Sequence, residues 1–260
     1  MDVYNEILSI LIDKRQYNTY TLTNDTLHKY ATVFTITLVL YSILSYQLYN
    51  DNKKRLAWMV SLLNSFLLSI IGIVYIIMKA PLAHEIILKT LNDKRSHGRS
   101  LYHGLDNVSA IVCLWFAIAN IIDLLFGFLF YRKQQGIITS YFHHSIFIWI
   151  MYVCTTGNGL FLTCTPFASS FLFMCIEEIP TFILALGSVF KSYRTDFGFG
   201  LTFFILRIMY HLCFLLYSIY VQADSVVCFL YVLTLIMHIN WFYSWASKYG
   251  KNLGQKEKNK

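Results

Sequence analysis

The chain has 260 residues, of which 57% are hydrophobic and 13% charged, and its mean hydropathy is +0.52. So much apolar surface cannot be hidden in one water-soluble core of ordinary composition, which excludes a soluble globular domain and makes lipid the solvent for most of the chain. A net charge of +7 raises nucleic acid as a partner, but the basic residues sit in turns between apolar runs and in the tail, so none is expected.

The first residues, MDVYNEILSILIDKR, begin acidic and hold only a short apolar run, so no cleaved signal peptide is expected. Residues 1–30 are read as a luminal N-terminal segment. Apolar runs long enough to cross about 30 Å of hydrocarbon, roughly 20 residues each, follow at Ala31 to Tyr49, Leu56 to Met78, Asn107 to Phe130, Phe167 to Val189, Leu201 to Val221 and Val226 to Ala246. A shorter run, Ile137 to Val153, holds a histidine pair in YFHHSIFIW. The fold class predicted is an all-α integral membrane bundle of six or seven transmembrane helices around a polar intramembrane cavity, with a membrane domain over 31–247 and a basic tail over 248–260. The connection from Lys79 to Leu105 is long and partly amphipathic, and TTGNGLFLTCTP reads as a tight or re-entrant luminal turn. The six cysteines lie in or beside apolar runs, so no disulfide framework is expected.

With seven spans, twelve lysines and arginines share a side with the tail and eight lie on the other, so the positive-inside bias puts the C-terminus in the cytosol. The final KEKNK resembles a cytosolic dilysine retrieval signal of endoplasmic reticulum membrane proteins, with Lys256 and Lys258 as its lysines.

Ionisable residues inside spans are costly, about 2.5–3.5 kcal/mol each, and each is a functional candidate. They are Asp123, His143, His144, Glu177, Glu178, Arg207, His211 and His238, with Asn240 beside the last. At about 1.5 Å per residue, Asp123, the histidine pair and Arg207 fall about 8 to 12 Å below the cytosolic boundary. Arg207 and His211 share a helix face, whereas His143 and His144 diverge by about 100°, as do Glu177 and Glu178, so only one of each pair is expected to face a common centre squarely. An arginine at this depth needs a carboxylate, and Asp123, Glu177 and Glu178 are the ones on offer. Pro180 is expected to kink its helix beside the glutamates and widen the cavity. No histidines outside the adjacent pair stand at the i, i+3 or i, i+4 spacing that gives one helix two metal ligands, so no metal is expected.

IANIIDLLFGFLF, a short basic turn, YFHHSIFIW, EEIPTFILALG, FFILRIMYHLCFL and HINWFYSWASKYGKNL, in that order over roughly residues 50–255, resemble the landmarks of the TLC-domain family, multi-pass proteins that include the ceramide synthases. The resemblance implies that His143 and His144 occupy the position of the synthases' embedded histidine pair, which joins an acyl-CoA to a sphingoid base. CIEEIPTFILALG stands where the synthases carry a later aspartate-bearing motif, and this departure is similar to the other branch of the family, whose members influence membrane lipid composition.

Two readings follow. In the first, the chain is a lipid acyltransferase of the endoplasmic reticulum, with His143 or His144 as general base or transient acyl acceptor, Asp123 or Glu177 orienting it, and Glu178, Arg207, His211 and His238 binding substrate. Acyl-CoA is then the co-substrate and no cofactor is bound. In the second, the same cavity belongs to a non-enzymatic lipid-binding or lipid-sensing protein. Membrane lipids are the expected partners, with self-association left open. A seven-span receptor or transporter fits less well, since the polar set lies in the cytosolic half and no luminal cysteine pair is present.

Overall fold

The computed structural model describes residues 22–92, 106–157 and 167–258, with backbone alone for 80–92, 138–139 and 251–258. The predicted re-entrant turn beyond Gly157, most of the N-terminal segment, the connection over 93–105 and the dilysine side chains therefore lie outside the described residues. Among those described, every regular element is helical. Six helical segments are long and apolar enough to cross a membrane: Asn24–Tyr49, Lys53–Lys79, Asn107–Phe130, Ala168–Val189, Asp196–Tyr220 and Ser225–Gly250. The chain is therefore read as a multi-pass membrane protein.

In chain order the α-helices are α1 (Asn24–Tyr49), α2 (Lys53–Leu56), α3 (Met59–Asn92), α4 (Asn107–Phe130), α5 (His143–Thr156), α6 (Ala168–Met174), α7 (Glu178–Val189), α8 (Asp196–Phe203), α9 (His211–Tyr220) and α10 (Ser225–Lys258). Local chemistry sets several ends. Thr23 caps α1 by accepting from the Thr26 amide, and Asp106 with Ser109 forms a reciprocal capping box on α4. Gly157 closes α5 at φ 70°, a left-handed value that costs a glycine nothing. α10 runs on through most of the predicted tail to Lys258.

The histidine-bearing segment is not one of the six. Its α-helix has 14 residues, and with the six residues of the π turn that runs into it, Ile137–Phe142, the segment is 20 residues long, enough to bring the chain back through most of the layer. A second π turn, Phe204–Tyr210, carries Arg207 and joins α8 to α9. Such wide turns interrupt helices mostly at functional positions.

Helices in lipid associate through close packing rather than through water expulsion, so small residues mark the tight contacts. α3 supplies buried Ser65 and Ser69 and then Gly72, where an added Cβ would lie 2.5 Å from the Ile176 amide nitrogen and 2.8 Å from the Cys175 carbonyl carbon. Backbone thus meets backbone at the 3₁₀ turn Cys175–Glu177, which breaks the span between α6 and α7. Pro180 is fully buried within the first turn of α7. Its missing amide leaves the carbonyl of Ile176 without the usual i−4 donor, so the predicted kink takes the form of this turn. Gly72→Ala is expected to destabilise the fold by about 1–3 kcal/mol despite alanine's better helix propensity, because the neighbours are main chain and cannot rotate away. A thermal midpoint in detergent equal to or above that of the unaltered protein would contradict this.

The largest apolar cluster joins Tyr75 of α3, Phe116 of α4, Ile150 and Cys154 of α5, Leu172 of α6, Leu215 of α9 and Leu230 of α10. It fills the half of the bundle away from the basic turns. α1 packs outside, with Leu38 against Ile118, Ala119 and Ile122 of α4. The candidate site occupies the half toward the basic turns, with Lys54 and Arg194 in its lining.

Candidate functional site

Three spaces adjoin one another in the bundle, each sharing lining residues with the next. The outer cavity, ≈ 740 Å³, has Lys54, Gln134, Arg194 and Lys248 among its lining residues and Asp123, His143, His144 and Arg207 at its floor. A small polar neck of ≈ 50 Å³ follows, bounded by Asn64, Asn120, Asp123, both histidines, Glu178 and Arg207. Beyond it is an inner chamber of ≈ 70 Å³, walled largely by Phe116, Phe147, Ile150, Met174 and Leu230, with Glu177, Glu178, Arg207, His211 and His238 also lining it. Arg207 borders all three spaces.

All eight predicted site residues thus line these spaces, in two groups. In the first, Tyr131 donates its hydroxyl hydrogen to Asp123 Oδ1, Gln135 donates to the Asp123 carbonyl at 3.2 Å, and His144 Nδ1 stands 3.5 Å from Asp123 Oδ2. That last distance is an ion-pair separation rather than a good hydrogen bond. The His143 ring meets Phe147 edge-on at 4.6 Å and Trp241 at 4.9 Å, and its Nδ1 makes no hydrogen bond among the described residues.

In the second group, Arg207 donates from Nη2 to Glu178 Oε1 at 2.9 Å and to Thr181 Oγ1 at 2.6 Å, and from Nε to the Glu177 carbonyl at 2.7 Å. The predicted arginine–carboxylate pair is therefore Arg207 with Glu178. Glu177 faces His211, with Oε1 2.8 Å from Nδ1, and His238, whose Nδ1 is 3.8 Å from Oε2. Glu177 is therefore set to orient His211 and His238 rather than the histidine pair, because the 3₁₀ turn swings it inward.

The expected divergence of adjacent residues is also modified. Both His143 and His144 border the outer cavity and the neck, and both glutamates border the inner chamber. A space this wide admits two side chains about 100° apart on one helix.

Tyr131, Gln135, Thr181, Thr234 and Trp241 join the site without having been singled out in the sequence. Tyr131 stands eight residues from Asp123, about 12 Å along a continuous helix. It reaches back only because the chain leaves α4 at Tyr131, and no spacing rule flags such a return. Searches against protein-family models, characterised proteins and solved structures found no match to this chain.

Proposed function

We propose that this chain is an intramembrane lipid acyltransferase of the endoplasmic reticulum, acting in lipid metabolism or membrane lipid homeostasis, in line with the resemblance to the TLC-domain family. The observation that carries the reading is the histidine pair beside Asp123, at the floor of a large cavity whose mouth is basic and whose far end is apolar. A lipid's or acyl donor's polar head suits the mouth, where Lys54, Arg194 and Lys248 offer positive charge, although Arg194 also pairs with Asp196 at 2.9 Å. The inner chamber, ≈ 70 Å³, has room for no more than the tip of a hydrocarbon chain.

His144, with Asp123 on its Nδ1 side, takes the general-base role. It accepts the proton of an amine or hydroxyl as that group attacks the thioester carbonyl of an acyl-CoA. It then returns the proton to the departing thiolate, so the acid–base cycle closes without a cofactor. The basic turns and the tail then lie in the cytosol, where acyl-CoA is available.

The reading is tested with purified protein in vesicles. Release of free thiol from a long-chain acyl-CoA, dependent on an added lipid amine or alcohol, is the expected result. The non-enzymatic lipid-binding reading draws on the 3.5 Å gap between His144 and Asp123, since a binder needs no proton transfer. Tight lipid retention with no acceptor-dependent thiol release would select it. For the location, Lys256→Ser with Lys258→Ser is expected to shift part of the protein from the endoplasmic reticulum to later compartments, and an unchanged distribution would remove KEKNK from the argument.

A further inference from the structure

We propose that Glu177, His211 and His238 form a divalent metal site facing the inner chamber, separate from the histidine pair and independent of the acyl-transfer reading. The three side chains come from the 3₁₀ turn, α9 and α10, and are 6%, 2% and 3% exposed. Their potential ligand atoms all lie within 4.8 Å of one another. The i, i+4 spacing rule missed them because each comes from a different segment.

Proton positions, assigned from partners, carry the argument further. His211 Nε2 is 3.0 Å from the Tyr231 carbonyl oxygen, which can only accept, so this nitrogen bears a hydrogen. Thr234 Oγ1, also 3.0 Å from Nε2, directs its own hydrogen to the carbonyls of Leu230 or Tyr231. A neutral His211 therefore turns the lone pair of Nδ1 toward the Glu177 carboxylate 2.8 Å away. Two lone pairs at that distance repel, and a positive centre has to serve both.

Arg207 is not that centre. Its guanidinium answers Glu178 and Thr181 and touches Glu177 only at the main-chain carbonyl. A single shared proton would serve the Glu177–His211 pair, but it gives no role to the third group converging on the same carboxylate. His238 rests its Nδ1 on the Arg207 carbonyl at 3.0 Å, and the same Nδ1 is 3.8 Å from Glu177 Oε2, so a metal takes this nitrogen by displacing the carbonyl bond. His211 thus has one nitrogen tied to a backbone carbonyl and the other turned to the carboxylate, the arrangement that orients metal-binding histidines and fixes their tautomer. Two imidazoles and one carboxylate suit Zn²⁺ or a similar first-row ion, with an open position for a water or a lipid oxygen in the chamber.

The test is metal analysis of the full chain purified in detergent without chelators. About one zinc or other first-row ion per chain is expected, lost in Glu177→Gln and His211→Gln and kept in His144→Gln. As a readout that needs no variant, Co²⁺ exchanged into the unaltered protein is expected to show visible d–d absorption that added Zn²⁺ abolishes. Protein that is metal-free as purified and gains neither Zn²⁺ nor Co²⁺ on dialysis overturns the proposal. So does metal retained in full by folded Glu177→Gln and His211→Gln.

Discussion

Replacing His143 and His144 together by glutamine is expected to leave the protein abundant and in the membrane while giving cells the lipid profile of cells that lack it. Glutamine keeps hydrogen-bonding capacity and much of the bulk but cannot act as a base near neutral pH. Phe147 and Trp241 pack against His143, and among the described residues neither Nδ1 makes a hydrogen bond that has to be replaced. Structure is therefore little disturbed, whereas loss of a general base typically costs 10²–10⁴-fold in rate. In the vesicle assay, acceptor-dependent thiol release should fall by at least about 10²-fold. If the double variant restores a normal lipid profile, the chain is a lipid binder.

Arg207→Met is expected to have the largest effect on stability. The guanidinium is 7% exposed beside Glu178 at 19%, and its removal leaves that carboxylate without its counter-charge and the Glu177 carbonyl without a side-chain donor. Losing one partner of a buried pair costs on the order of 3–5 kcal/mol. Combining Arg207→Met with Glu178→Gln removes the stranded charge. The double variant is expected to be more stable than the sum of the single effects allows, with a coupling of about 0.5–3 kcal/mol. Strict additivity in thermal unfolding would show that the pair is not a working contact.

Charge in lipid is costly enough to leave a mark on the sequence. Asp123, the histidine pair and Arg207 each interrupt an apolar run, and the structure gathers them at one cavity floor. Which carboxylate serves which partner was not legible. That choice depends on the 3₁₀ turn at Cys175–Glu177, which separates two adjacent glutamates into different tasks, and on backbone contact with Gly72 from a distant helix. The π turns were equally hidden, since Ile137–Phe142 and Phe204–Tyr210 contain ordinary helix-compatible residues. Tyr131 and Thr181 escaped notice because a hydroxyl in a membrane protein is cheap and common. What the sequence marks is the expensive group. The inexpensive groups that aim it are set by tertiary packing.

α10 has 34 residues and α4 has 24, about 51 Å and 36 Å at 1.5 Å per residue. The apolar part of α10, Ser225–Gly250, is 26 residues long, close to the 24 of α4, so both match a hydrocarbon layer of about 30 Å equally well, and the rest of α10 is polar tail. The last turns of α10, which bear Lys251, Lys256 and Lys258, therefore run past the hydrocarbon as helix, beyond Lys248 and Tyr249 in the lining of the outer cavity. A basic rod thus extends the lip of the cavity into the headgroup layer, making the charge of the surrounding lipids a determinant of what gathers at the mouth.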